Sequence, residues 1–485
     1  MAELERLTDS DDLQRELQRV IHLLEKQKVV EGLVHRQEMP RHELVESLVH
    51  KQHVAELQRI LDQLHPADVA YILEALPLED RLSVWNLVKA ERDGEILLEV
   101  SDAVRESLIA DMEPKELVAA AENLDTDEIA DLASDLPQEV IQDVFRRLSA
   151  DEREQLRAAL SHEEGTVGAL MDFDMVTIRE DVTLEVVLRY LRRMDELPDH
   201  LDKLFVLDRA GRLQGELPLN RLLLHDPEVM VAAVMDDDPV RFRATDDARE
   251  AAQAFERYDL VSAPVVDAEG QLLARLTVDN VVDFIREESS AEVLSLGGLK
   301  AEEDIFAPVW KSLRNRWTWL GVNLVTAFIA SRVIGVFEDS IEKLAALAAL
   351  MPIIAGIGGN SGNQTITMIV RALALGQITL ANAKQLFAKE LGISLLNGLV
   401  WGSVVGLFAY FIYHNISLGL VMTLALTLNL LLAAVVGVLI PLAMHRLGRD
   451  PAAGSSVLIT AVTDSGGFFI FLGLATLFMP YLGRG

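Results

Sequence analysis

The 485-residue sequence contains no cysteine. Disulfides, thiolate metal sites and thiol nucleophiles are therefore excluded, and with them most soft-metal chemistry. Basic residues are scarce beside acidic ones, 44 Lys/Arg against 76 Asp/Glu, for a formal net charge of −32. Residues 306–485 hold 11 Lys/Arg and 6 Asp/Glu, leaving 33 basic and 70 acidic residues in 1–305, a net of +5 against −37. So acidic a block repels nucleic acid and anionic lipid and attracts cations. The opening stretch MAELERLTDSDDLQREL is polar and acidic and lacks the apolar core of a signal peptide, so the acidic part is expected to stay in the cytosol. No nucleophile beside a base and no phosphate-binding glycine loop is present, which argues against an enzyme.

What the chain does contain changes twice along its length. Residues 1–165 read as helix, with apolar residues at three- and four-residue spacing such as Val54, Leu57, Ile60, Leu61 and Leu64. "LPxE" recurs at 76–79 and 136–139, a weak repeat consistent with stacked helical hairpins in a superhelix. The histidines 22, 35, 42, 50, 53 and 65 show no metal-ligand spacing. From Gly165 to about Glu288, strand, helix, strand, Gly turn, strand and helix follow in order twice. This pair resembles tandem CBS domains, modules that bind adenine nucleotides in some proteins. Thr277 and Asn280 stand where that resemblance places nucleotide contacts, but Ala274 replaces the usual Gly and Pro218 the hydroxyl of the first copy. A structural and dimerising role, or ATP binding, both fit. The segment 281–300 reads as an acidic helix ending at Gly297–Gly298, with Asp283 and Glu287, and Glu288 and Glu292, paired on one face.

Five apolar segments then follow at 317–337, 344–370, 391–413, 418–444 and 452–482, each reaching the ~20 residues needed to cross a bilayer. Lys311, Arg314 and Arg316 precede the first; Arg371, Lys384 and Lys389 follow the second; Arg446 and Arg449 follow the fourth. By the bias of positive residues this places the N-terminus inside and the C-terminus outside. Asp464 interrupts the last segment, and a carboxylate at that depth needs protein, water or a cation. At ~100° per residue Asp450 falls on nearly the same helix face, about 21 Å away, a spacing that suggests a cation path. The bland reading is an acid neutralised by burial or paired with Arg332, the one arginine inside a span. In PIIAGIGGNSGNQTITMIVR, prolines and glycines are expected to weaken the helix midway, with Asn360, Gln364, Thr367 and Arg371 on one face and Asn363 beside it. That stripe is either helix packing through amides and small residues or a path lined by oxygen acceptors. Carboxamides and a lone carboxylate suit a hard divalent cation such as Mg²⁺, which keeps several of its waters.

At these residues the resemblance becomes specific. "GTVGALM" at 165–171, "GGNSGNQ" at 358–364, "GRDPA" at 448–452 and "TDSGGF" at 463–468 are similar to bacterial MgtE-type magnesium channels, and the match runs over nearly the whole chain. The resemblance implies a multi-domain integral membrane protein in four parts. These are an all-α superhelical N domain (1–164), α/β tandem CBS domains (165–280), an acidic connecting, or plug, helix with its linker (281–305) and a five-helix transmembrane domain (306–485). It further implies a homodimer in the bacterial plasma membrane with the pore at the dimer axis. Asp464 would hold hydrated Mg²⁺, with Asn360 at the narrowest part and Gly359, Asn363 and Gln364 lining the path. Asp450, Glu288 and Glu292 would bind regulatory Mg²⁺, and Arg332 departs from the pattern. Two other classes compete: a CBS-regulated anion channel, for which the intramembrane charge has the wrong sign, and a membrane-anchored sensor that transports nothing.

Overall fold

The computed structural model describes residues 10–34, 42–194, 196–299, 303–374, 377–378, 382–452 and 454–482. It divides into two units, Met1–Glu287 with Asp304–Pro308, and Glu288–Glu303 with Val309–Gly485. His35 and the residues after Leu482 lie outside the described residues.

The first unit begins with two long helices, Ser10–Val34 and His42–Leu61, and continues in helices of seven to ten residues from Pro66–Glu74 to Ala150–Ala159. Their shortness follows from local signals. Pro77 and Pro137 of the two "LPxE" motifs are N-caps, and reciprocal capping boxes start others at Glu113/Glu116, Asp125/Glu128 and Ser149/Glu152. One apolar core runs through these helices from Val20 to Leu156. Two arginines lock successive layers in the same way. Arg81 Nε donates to the Leu73 carbonyl and Arg105 Nε to the Leu97 carbonyl, each eight residues back. Arg81, fully buried, also holds Asp304 through two bonds of 2.7 and 3.2 Å.

Two three-stranded sheets follow. β1 (Thr177–Arg179) pairs parallel with β2 (Lys203–Leu207), which pairs antiparallel with β3 (Leu213–Pro218). β4 (Phe242–Arg243), β5 (Ser262–Val266) and β6 (Leu272–Thr277) repeat that order. Helices Leu184–Leu191 and Ala248–Tyr258 make the parallel crossovers. Gly211 and Gly270, both at positive φ, turn the two hairpins, and the copies clasp reciprocally there: Leu213 N–H donates to the Gly270 carbonyl and Leu272 N–H to the Gly211 carbonyl. Helix α1 (Val278–Leu296) leaves β6 directly and ends where Leu299 N–H caps the Leu294 carbonyl around Gly298 at φ +72°.

The second unit holds five long helices: α2 (Val309–Val336), α3 (Ala346–Ala374), α4 (Ala383–Tyr413), α5 (Ile416–Arg446) and α6 (Ser455–Leu477). Among the described residues, α2, α4, α5 and α6 are long and apolar enough to cross a membrane. α3 is as long, at 29 residues, but carries the polar segment. α5 is central, packing against α3, α4 and α6. Small residues make the close approaches, as expected where lipid removes the hydrophobic drive between helices. On α4, Ser394, Gly398, Gly402 and Gly406 form the buried stripe against Thr427, Thr423 and Gly419. α3 is one continuous helix through Pro352 and its glycines, contrary to the expected weakening. Gly358 and Gly362 serve contact instead: a Cβ on either would strike Asn429 or Ile459.

Candidate cation site and its control region

α3 buries its small and apolar face against α5 and α6 and turns the polar one away. Gly358, Gly359, Gly362, Thr365 and Ile366 are buried, whereas Asn360, Gln364, Thr367 and Arg371 are exposed and Asn363 is half-buried. A Cβ on Gly359 would lie 3.8 Å from the hydroxyl of Thr463 on α6. Asn360 and Asp464, the next residues on these two antiparallel helices, therefore lie within about one turn of each other along the axis. Thr463 is fully buried and its hydroxyl donates to the Ile459 carbonyl at 2.8 Å. Asp464 itself is half-buried, with no hydrogen bond or ion pair among the described residues. Arg332 is exposed on α2 and does not pair with it, which removes the ion-pair reading.

Asp450 does not share a helix with Asp464. It lies in the turn between α5 and α6, where its Oδ1 accepts from Ala452 N–H at 2.8 Å, and α6 starts afresh from Gly454 at φ +69°. The face reckoning between the two carboxylates therefore fails: Pro451 and the positive φ at Gly454 break the helical register. The end of α1 reaches this region. Leu296 packs on a small core of Ile366, Val370, Ala452 and Ile459. Trp319 of α2 sits between two left-handed glycines, Gly298 after α1 and Gly454 before α6; added Cβ atoms would fall 3.2 and 2.1 Å from its ring. Glu288 and Glu292 are half-buried on α1 and both carry interactions. Among the described residues no three acidic or imidazole side chains converge tightly enough to hold a metal, so Glu288, Glu292 and Asp450 are not one ligand set within a protomer.

The first unit carries a second acidic concentration. Burial first, then the charge of Asp172, pushes Asp127 up to about 8. Partial desolvation raises Asp131 to about 7, with Arg105 opposing and Glu287 adding, although the residue as a whole is exposed. On α1, Asp283 and Glu287 are exposed yet partly desolvated by their neighbours, which raises both, the latter further by Asp102. Glu99 is raised by burial and then by Asp283. Carboxylates of the helical domain thus face carboxylates of the connecting helix and of the segment entering the CBS pair. Asp172 is held there by a buried pair with Arg275 at 2.7 Å. Arg81, Arg105 and Arg275 carry no local sequence signal, because their partners lie 30 to 223 residues away.

At the CBS pair, Thr277 is buried and its hydroxyl has no partner. Asn280 is committed: its amide donates to the Leu170 carbonyl at 3.3 Å. Pro218 caps the helix Leu219–Leu224 in the first copy.

A helical domain, a CBS pair and membrane-capable helices with oxygen donors on one face define a multi-domain integral membrane protein of transporter type. Family models match the MgtE intracellular N domain over residues 64–165, CBS domains over 167–227 and 231–287, and the MgtE divalent cation transporter over 351–474. The magnesium transporter MgtE of Thermus thermophilus is 32% identical over 429 residues, 87% of this chain and 95% of that protein. That of Bacillus subtilis is 24% identical over 423 residues, 87% and 94% of the two chains. Among solved structures, the cytosolic domain of the Mg²⁺ channel MgtE in complex with ATP is 30% identical, covering 49% of this chain and 98% of its own, with a TM-score of 0.44. The chain belongs to the MgtE family of divalent cation transporters and is not an enzyme.

Proposed function

We propose that this protein is a homodimeric Mg²⁺ channel that admits magnesium across the bacterial plasma membrane. The observation that carries this reading is Asp464, unpaired and within about one turn of Asn360, beside an exposed polar stripe. Mg²⁺ sheds water reluctantly, so a path for it needs one or two carboxylates and acceptors for its water shell. A two-fold axis along the exposed face of α3 would bring a second Asp464 and Asn360 opposite the first, with Gly359, Asn363 and Gln364 nearby. In this reading α3 is the fifth span, the N-terminus is cytosolic and the C-terminus external. The parts 1–164, 165–280, 281–305 and 306–485 are the N domain, CBS pair, plug segment and channel.

Cytosolic Mg²⁺ would close the channel. Two carboxylates ~4 Å apart repel by about 4 kcal/mol at an effective dielectric near 20. Hydrated Mg²⁺ bridging carboxylates in pairs, such as Asp131 with Glu287, would reverse that sign, and Glu288, Glu292 and Asp450 would contribute in the same way at the mouth through water-mediated or intersubunit bridges. The CBS pair is chiefly a scaffold and dimer contact. An adenine nucleotide such as ATP would find the Thr277 hydroxyl available but would have to displace Asn280 from Leu170.

Purified protein in liposomes tests the reading. Mg²⁺ uptake should appear and be reduced by competing Mn²⁺, Co²⁺ or Ni²⁺. Anion flux alone would favour the anion-channel class, and no flux at all would favour a sensor.

A further inference from the structure

We propose that Asn429 is a positioning residue for ion discrimination: from α5, it sets the separation of α3 and α6 at the level of Asn360 and Asp464. This rests on the pore reading above and assigns part of its selectivity to a side chain that never touches the ion. Asn429 is fully buried. Its α5 neighbours Leu426, Leu430, Ala433 and Ala434 are buried and apolar, so the amide is the polar exception on that face.

Three contacts define it. Nδ2 donates to the Ile354 carbonyl on α3 at 2.9 Å. A Cβ on Gly358 of α3 would lie 2.1 Å from Nδ2, and one on Gly467 of α6 would lie 2.7 Å from Nδ2 and 3.1 Å from Oδ1. Both glycines thus press bare backbone onto one amide. Gly358 is two residues before Asn360, and Gly467 is three residues, one turn, after Asp464. A change in the thickness of this wedge therefore moves the two site residues relative to each other.

The fourth feature is what Asn429 does not do. Oδ1 is buried without a partner. An unmatched buried acceptor is unfavourable, and leucine has the same branched four-atom skeleton without one. As a filler alone leucine would serve, its bulkier methyls offset by the orphaned acceptor it removes. As a spacer it would not, because it loses the tie to Ile354 and presents branched methyls to the two glycines. A site that selects a hydrated ion by size and ligand placement responds to such small displacements.

The test uses the full chain in liposomes with Asn429→Leu, measuring Mg²⁺ uptake against Co²⁺ and Ca²⁺ competition, and the melting temperature of the detergent-solubilised protein. The expected result is a protein that melts no lower than wild type yet shows a several-fold change in the ratio of Mg²⁺ to competitor. A wild-type ratio overturns the proposal. Asp464→Asn is assayed beside it. Full uptake in that variant removes the pore reading itself, whereas lost uptake there with a wild-type ratio in Asn429→Leu removes only the role of Asn429. If Asn429→Leu fails to fold, the exchanged pair Gly358→Ala with Asn429→Ala restores the volume. Gly358→Ala alone should melt lower than the pair, and the folded pair must show the shifted ratio, a wild-type ratio again overturning the proposal.

Discussion

At the scale of single residues, the account turns on a charge and an amide that do different work. In the proposed pore Asp464 would supply the full charge, and Asn360 a dipole that can accept from or donate to the water shell of an ion. Asn360→Ala should therefore slow Mg²⁺ uptake less than loss of the carboxylate does, and should weaken preference among divalents. Unchanged rate and preference would reduce the stripe on α3 to packing. Asp464 was legible in the sequence because a lone carboxylate in an apolar run is a local signal. Asn429 was not, since a single Asn among leucines announces nothing until its partners on two other helices are known. Arg81 was hidden for the same reason: its carboxylate partner is 223 residues away.

At the scale of elements, hydropathy and charge made the apolar helices legible, and the doubled strand–helix order made the CBS pair so, because both patterns are written within a few turns or strands. The continuity of α3 was not legible. Glycines that weaken an isolated helix here admit neighbouring helices, so tertiary contact overrides propensity. Positive-φ glycines also fix the junction of α1, α2 and α6 around Trp319. Gly454→Ala should destabilise the membrane unit more than Gly298→Ala, since the left-handed backbone costs roughly 1–3 kcal/mol in each and the contact with Trp319 is tighter at Gly454. Thermal melts of the two variants check this; equal losses would show that Trp319 moves aside freely.

The acidic face of α1 carries a pH dependence with a definite sign. Asp131 is raised to about 7 by partial desolvation, with the charges of Glu287 and Asp283 on α1 adding, so the assembled form holds a proton that the separated form releases. Its penalty is absent below the ordinary carboxylate range near pH ~4 and complete above about pH 7, so the contact strengthens as pH falls through that window. Without Mg²⁺, lowering pH from about 8 to 6 should protect α1 from proteolysis, and Mg²⁺ should give the same protection at pH 8. Asp131→Asn should flatten the pH response. Protection that is indifferent to both pH and Mg²⁺ would mean these carboxylates do not control the contact.

At the scale of the whole molecule, an acidic block of net −37 and a membrane block of net +5 are joined by a helix whose residues belong to both units. If Mg²⁺ bridging biases a two-state gate, currents in excised patches should fall as internal Mg²⁺ rises. Glu288→Gln with Glu292→Gln should need more Mg²⁺ for the same closure. The central claim, that magnesium crosses beside Asp464, is tested most directly by Mg²⁺ uptake into liposomes containing Asp464→Asn. The account predicts a folded dimer with initial uptake reduced by more than about tenfold, at least ~1.4 kcal/mol of lost stabilisation. Wild-type uptake by that folded variant would contradict it.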